Sequence, residues 1–170
     1  MSTIRDILVD SQRRLSNAEI ESASTESAQL LAHVLGVARN RLFMQDNVNE
    51  EDRVAFERLL AKRISRIPLQ HLTGTAPFRR IELNVGPGVF VPRPESELVA
   101  EAAIRFLREC QNPIAVDLCS GSGAIALSLA LEVPGARVVG VEMSPDSFVW
   151  LEQNVSRFEC EIPVEIHQMD

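Results

Sequence analysis

The sequence Val-Asp-Leu-Cys-Ser-Gly-Ser-Gly at residues 116–123 decides the fold of this chain. It predicts a buried strand that ends near a carboxylate, Asp117, and runs into a glycine loop. The apolar run at 124–130 then predicts a helix that begins at the loop. A strand, a Gly-x-Gly loop and a helix N-terminus bring backbone N–H groups together, which is the arrangement that binds nucleotide-like ligands.

The identity of that ligand depends on the carboxylates around the loop. Glu142 ends the next apolar run, about 20 residues on, which suits a carboxylate that binds ribose hydroxyls. Residues 121–126 formally match G-x-G-x-x-A, so a dinucleotide cofactor is a real rival. Asp117 favours S-adenosylmethionine, because a carboxylate repels a pyrophosphate but attracts an ammonium or sulfonium group. Two further features favour S-adenosylmethionine. A helix precedes the first strand, and Pro145 marks the start of a helix just after Glu142.

The first 72 residues predict a small helical bundle. Apolar residues recur at helical spacing in four segments, and Gly36 and Pro68 end two of them. Short apolar runs among glycines and prolines at 73–92 then predict a β-hairpin that links two domains.

Helices and strands alternate from residue 93 onward, which predicts a parallel sheet covered by helices. The first of these helices carries a wide apolar stripe that includes Leu98 and Phe106. We therefore predict an α/β chain with a helical bundle at 1–72, a β-hairpin linker at 73–92 and the first half of a Rossmann-like domain at 93–170.

Charge and composition restrict the function classes. The net charge is −7, and the acidic excess lies in residues 73–170, which argues against a phosphate-binding surface there. Cys110, Cys119 and Cys160 have no paired spacing and are expected to be reduced thiols, and no Cys/His cluster indicates a metal. No apolar run is long enough for a membrane span and no signal core is present, which favours the cytoplasm.

Three stretches resemble the HemK/PrmC family of protein-glutamine methyltransferases. Ile-Pro-Leu-Gln-His-Leu-Thr-Gly at 67–74 is similar to the segment that joins the two domains of that family. Phe-Val-Pro-Arg-Pro-Glu-Ser-Glu-Leu-Val at 90–99 resembles its proline-arginine-proline signature. Residues 117–126 are similar to its cofactor loop, which many methyltransferases share, so the first two stretches are the more specific ones.

This resemblance implies S-adenosylmethionine-dependent N5-methylation of the glutamine in the Gly-Gly-Gln loop of class 1 peptide-chain release factors. It implies a cytoplasmic enzyme whose helical domain recognises the substrate, with no membrane association and no direct nucleic-acid substrate. The amide nitrogen is a poor nucleophile because its lone pair is delocalised into the carbonyl. Catalysis must therefore hold that nitrogen in line with the methyl carbon.

The resemblance also implies a cofactor site. Asp117 is expected to meet the ammonium group and Glu142 the two ribose hydroxyls, while Met143 packs on the adenine. The remaining site residues belong to the loop, to the signature and to the C-terminal end of the chain. The full predicted set is Phe90, Pro92, Arg93, Asp117, Cys119, Ser120, Gly121, Ser122, Gly123, Glu142, Met143 and Asp170.

The chain departs from the family pattern at two points. It contains no Asn-Pro-Pro-Tyr, the motif that binds the substrate amide in the family, and no tyrosine. We therefore assign no catalytic residue and expect the 170-residue chain to be an inactive fragment. Cys119 stands where the family most often has glycine, and it is expected to be tolerated if its φ stays negative.

Two alternatives remain open from the sequence. A nucleic-acid base N-methyltransferase meets the same chemical problem at an exocyclic nitrogen, although the acidic second half and the signature at 90–99 speak against it. A non-enzymatic module, in which the helical domain only binds a partner, is the second.

Overall fold

The computed structural model describes residues 3–45 and 47–170. The chain divides into two compact units, Met1–Thr73 and Gly74–Asp170. Helices make up the regular structure of the first unit, whereas strands and helices alternate through most of the second. The predicted α/β class with a helical N-terminal part is confirmed.

The first unit is built from amphipathic helices that begin at polar caps. Thr3 and Asp6 form a capping box at the first helix, and Asn49 accepts a hydrogen bond from the Asp52 N–H at the third. The helices are α1 Ile4–Asn17, α2 Ala23–Val34, α3 Glu50–Ile64 and α4 Leu69–Thr73, with a 3₁₀ turn at Arg39–Met44 between α2 and α3. Their apolar faces meet in a core whose innermost side chains are Leu15, Leu30, Leu31, Leu42, Phe56 and Leu60.

The second unit contains an antiparallel hairpin and a parallel three-stranded sheet. The elements are β1 Thr75–Phe78, β2 Ile81–Asn84, α5 Ser96–Arg108, β3 Ile114–Leu118, α6 Ala124–Glu132, β4 Arg137–Glu142, α7 Pro145–Arg157 and β5 Glu165–Gln168. The strand order of the sheet is β3-β4-β5, and β3 is in register with β4 from Ile114↔Arg137 to Leu118↔Val141. The carboxyl ends of β3 and β4 therefore lie side by side.

Arg79 fastens the hairpin to the helices of the same unit. It lies in the turn between β1 and β2, and its guanidinium donates to both carboxylate oxygens of Glu132, at 2.7 Å and 2.8 Å, and to Glu101 at 2.8 Å. Glu132 is only 8% exposed, so this ion pair is largely shielded from water. Phe78 and Leu83 of the hairpin are buried in the same core as α6.

Two expectations about apolar segments are wrong. The strand β3 is not buried: Val116 and Leu118 are 59% and 70% exposed, because the described elements leave one face of the sheet uncovered. On α5, the buried side chains are Ala100, Ile104 and Leu107, whereas Leu98 and Phe106 face solvent. The apolar stripe of this helix is wider than the surface that α6 and the hairpin cover.

Candidate functional site

The glycine loop at residues 119–123 joins β3 to α6 and folds back beside the end of β4. The N–H of Ser120 donates to the carbonyl of Val141 at 2.9 Å, which ties the loop to β4. The hydroxyl of Ser120 donates to the Asp117 carbonyl at 2.8 Å. The Gly123 N–H donates to the Ser120 carbonyl at 2.8 Å, which completes the turn just before α6 begins.

Cys119 has a φ of +60°, so the condition under which a cysteine was expected to be tolerated here, a negative φ, is not met. The chain leaves the sheet here through a left-handed residue, and Gly121 and Gly123 follow with φ of +56° and +83°. A residue with a Cβ is strained in this region by about 1 kcal/mol. The loop therefore begins with a strained residue at the position where the family most often has glycine.

Gly123 serves packing as well as the turn. A Cβ at Gly123 would lie 2.8 Å from Cδ1 of Leu151 on α7, so a side chain would push the loop away from that helix. A Cβ at Gly121 would meet only Val89, at 3.8 Å. The two glycines of the motif thus have different roles, since Gly123 allows helix packing and Gly121 leaves the open side of the loop accessible.

Glu142 connects the loop to the end of β4. It is buried, and its Oε2 accepts a hydrogen bond from the Gly121 N–H at 2.8 Å. Its Oε1 accepts one from the Ser144 N–H at 2.8 Å, just before α7. Charge-assisted bonds of this kind are about twice as strong as neutral ones. A carboxylate can accept about four hydrogen bonds, and the N–H groups of Gly121 and Ser144 occupy two of these positions.

Asp117 caps α6 from a distance. Its Oδ2 accepts a hydrogen bond from the Ala126 N–H at 3.1 Å, in the first turn of α6. The N-cap residue of that helix is Gly123, which has no side chain to do this. Burial raises the pKa of Asp117, the Ala126 N–H opposes the rise, and the negative charge of Glu142 adds to it. A cation beside this carboxylate would stabilise its ionised form.

A cavity of about 320 Å³ opens on the accessible side of the loop. The loop and the start of α6 supply part of the lining, and the segment at 90–93 supplies another part together with Phe78. Asp117 is the acidic residue in this lining and Arg93 the basic one. An apolar cleft with few polar groups is typical of a small-molecule site.

The structure brings most of the predicted cofactor-binding residues together in this cavity. Those that line it are Phe90, Pro92, Arg93, Asp117, Cys119, Ser120, Gly121 and Ser122. Four predicted residues lie outside the lining, namely Gly123, Glu142, Met143 and Asp170. Glu142 is nevertheless hydrogen-bonded to the loop. Met143, the next residue in the chain, is exposed, and so is Asp170 after β5. Phe90 is 86% exposed and lies at the mouth of the cavity.

The structure adds site residues that the predicted set does not include. The cavity is also lined by Phe78, Val91, Ser96, Ala124 and Ile125. Phe78 has a usable signal, since it ends the first hairpin strand just before the turn. Asn154 has none: it lies in the middle of α7 and donates to the Ser122 carbonyl at 2.9 Å from a fully buried position.

Other kinds of site are not formed by the part of the chain that the structure describes. No group of His, Cys, Asp and Glu side chains among residues 3–45 and 47–170 is placed to hold a metal ion. No helix in the same residues is long and apolar enough to cross a membrane. The three cysteines are free thiols, and burial raises the pKa of Cys160.

Comparison with known proteins gives a consistent result. Residues 6–74 match the family model described as the PrmC N-terminal domain. A release factor glutamine methyltransferase of Bifidobacterium longum is 41% identical over 94% of this chain and 57% of its own length. One of Streptomyces coelicolor is 46% identical over 84% of this chain and 51% of its own. The chain thus spans little more than half the length of these relatives.

Solved structures resemble the chain less closely. The putative transferase PH0793 of Pyrococcus horikoshii covers 56% of this chain and 36% of its own, with a TM-score of 0.47 and 18% identity, too low to support a conclusion. The sequence matches are decisive, because they extend over both units and include the N-terminal domain. The resemblance to the HemK/PrmC family is confirmed: residues 6–74 match the PrmC N-terminal domain, and the curated relatives that align with most of this chain carry the name release factor glutamine methyltransferase.

Proposed function

We propose that this chain forms the methyl-donor side of a cytoplasmic, S-adenosylmethionine-dependent N5-glutamine methyltransferase that acts on class 1 peptide-chain release factors. The observation that carries the proposal is the cavity in which the glycine loop, the Asp117 carboxylate and the Phe90–Arg93 segment meet. The names of the relatives supply the reaction and the substrate class.

The residues of the cavity fit S-adenosylmethionine better than a dinucleotide. Asp117 lines the cavity. The negatively charged carboxylate of Glu142 is hydrogen-bonded to the loop. Two carboxylates so near the loop oppose a pyrophosphate and favour a ligand with an ammonium and a sulfonium group. The burial that raises the pKa of Asp117 also makes a cationic partner favourable there.

Each group of residues has a proposed task. Asp117 binds the ammonium group, directly or through water, and the two remaining acceptor positions of Glu142 take the ribose hydroxyls. The Gly121 side of the loop lets the backbone approach the ligand, because no side chain fills that space. Buried Phe78 and the Pro92 ring supply apolar lining for the ligand, and exposed Phe90 is available to cover it.

When bound, S-adenosylmethionine supplies an electrophilic methyl group on a sulfonium centre. The residues described here orient that donor and keep it desolvated, which removes part of the entropic barrier to transfer. We assign no residue of this chain to the acceptor amide, since Asn-Pro-Pro-Tyr does not occur in it. The helical unit at 1–73 is proposed to contact the release factor.

The substrate class is tested by a binding comparison on the full 170-residue chain. A class 1 release factor, a tRNA and a DNA duplex are titrated against it at two salt concentrations. We expect saturable binding of the release factor and none of the nucleic acids. Binding of tRNA or DNA with a steep salt dependence would instead support a base methyltransferase. Absence of release-factor binding would contradict the proposed partner.

A further inference from the structure

Asn154 is a buried amide whose hydrogen bonds reach two separate segments. It lies in α7 and is 0% exposed. Its Nδ2 donates to the Ser122 carbonyl and to the Asn84 carbonyl, at 2.9 Å in each case. Its Oδ1 accepts a hydrogen bond from the Asn84 N–H at 2.7 Å. A buried side chain with this many bonds fixes the distance between its partners.

The two partners lead to two different segments of the cavity lining. Ser122 lies between the two glycines of the loop and lines the cavity. Asn84 ends β2, and the chain runs from it through residues 85–89 into Phe90 and Pro92, which also line the cavity. Asn154 therefore connects the glycine loop to Asn84, from which the chain leads to Phe90 and Pro92.

Trp150 and Ser147 of α7 form side-chain hydrogen bonds to the same segment and not to the loop. The indole Nε1 of Trp150 donates to the Pro87 carbonyl at 3.0 Å, and the Ser147 hydroxyl to the Gly88 carbonyl at 2.7 Å. Gly86 packs on the Trp150 ring so closely that a Cβ would lie 2.4 Å from it. Trp150 lies one helical turn before Asn154, so it provides a matched control for docking of the segment alone.

We propose that Asn154 is a positioning residue of the donor site, which sets the spacing of the glycine loop and the Phe90–Pro92 segment and thereby the affinity for the donor. It touches neither the cavity nor the ligand, and it acts through the Ser122 carbonyl. The predicted effect of Asn154 on donor affinity rests on the proposed function. Its predicted effect on the position of the loop does not.

The test compares Asn154→Asp and Asn154→Leu with Trp150→Phe. Asn154→Asp keeps the acceptor for the Asn84 N–H and removes the donor to both carbonyls. Trp150→Phe removes the bond to Pro87 and leaves the loop contacts in place. Three quantities are measured: the melting temperature, amide hydrogen exchange at Gly121 and Gly123 without ligand, and the Kd for S-adenosylhomocysteine.

We expect the Asn154 variants to exchange the loop amides about tenfold faster and to bind S-adenosylhomocysteine about tenfold more weakly. Trp150→Phe is expected to lower the melting temperature without either effect. Equal effects of all three variants, or weaker binding without faster loop exchange, would overturn the inference. If the wild-type chain does not bind the ligand, the cofactor assignment fails, and the exchange comparison still decides whether Asn154 holds the loop.

If both Asn154 variants fail to fold, native-state hydrogen exchange of the wild type in graded urea gives the answer. The inference requires the Gly121 and Gly123 amides to open together with the α7 amides around residue 154. Loop amides that open at lower urea than that part of α7 would overturn it.

Discussion

The ends of β3 and β4 carry the same sequence pattern and yet differ in environment. Each strand is an apolar run with a carboxylate near its end, Asp117 in β3 and Glu142 in β4. The carboxylate of Glu142 is buried and bonded to two backbone N–H groups outside its own strand. That of Asp117 accepts one from α6, lines the cavity and has a raised pKa.

The two carboxylates therefore have different roles, although the sequence motif does not distinguish them. The end of β4 fixes the shape of the loop, because Glu142 bonds to Gly121 as well as to the start of α7. The end of β3 presents a carboxylate to the cavity at some cost in stability, since burial opposes its ionisation. The four predictions below test this separation.

The largest effect is expected for Glu142→Ala. Removal of this side chain leaves the N–H groups of Gly121 and Ser144 without their acceptor, so loop geometry and ligand contact are lost together. Affinity for S-adenosylhomocysteine should fall about 100-fold, as calorimetry can measure. Glu142→Gln keeps one acceptor oxygen and should lose less. An unchanged affinity in the alanine variant would remove Glu142 from the site.

A second comparison concerns the strands themselves. Val138 of β4 is 2% exposed and Val116 of β3 is 59% exposed. Val138→Ala should lower the free energy of unfolding by about 2 kcal/mol, and Val116→Ala by no more than about 0.5 kcal/mol. Urea denaturation of the two variants measures the difference. Equal losses would mean that the outer face of β3 is covered in solution.

Asp117→Asn is expected to act in opposite directions on binding and on stability. Loss of the charge should weaken S-adenosylhomocysteine binding about tenfold. Between the ordinary pKa of aspartate and the raised one, the folded state retains a proton that the unfolded state releases. The wild type therefore loses stability as pH rises through that interval, and the variant does not.

The check is a pair of urea titrations, one at neutral pH and one well below the ordinary pKa of aspartate. The asparagine variant should be the more stable protein at neutral pH, and its advantage should disappear in acid. It can still accept the Ala126 N–H, so the cap of α6 is retained. A variant that is less stable at neutral pH would contradict the account of Asp117.

The smallest effect is expected for Cys119→Gly. Glycine adopts a φ of +60° without strain, so the free energy of unfolding should rise by about 0.5 kcal/mol after the greater entropy of the unfolded glycine chain is subtracted. Cys119→Ala keeps the Cβ and should show no gain. Equal stability of the glycine and alanine variants would mean that Cys119 is unstrained.

Local patterns explain how much of this fold is predictable. Apolar spacing with Pro68 as a stop predicts the helical part, and Pro145 predicts the start of α7, which the structure caps with Ser144. The apolar run of β3 indicated a strand but not its exposure, because burial depends on which elements cover a face. Sequence periodicity contains no information about that.

The residues of the site likewise divide into those that a local motif predicts and those that depend on packing. Asp117 and the loop residues were identified from a motif whose chemistry is local. Phe78 lines the cavity through the packing of the hairpin, and its place at the end of the first hairpin strand is the signal that could identify it. Asn154 bonds to the loop through the packing of α7, and no spacing in the chain reveals it. The left-handed φ of Cys119 is also set by how the chain must leave β3, and not by the residue type.

The central claim is that the glycine loop between β3 and α6 binds a methyl donor and not a dinucleotide. Calorimetric titration of the 170-residue chain with S-adenosylmethionine, S-adenosylhomocysteine and NADH tests this directly. The account predicts saturable binding of the first two, with S-adenosylmethionine weakened by Asp117→Asn, and no binding of NADH. Saturable binding of NADH, or no binding of either adenosyl ligand, would contradict it.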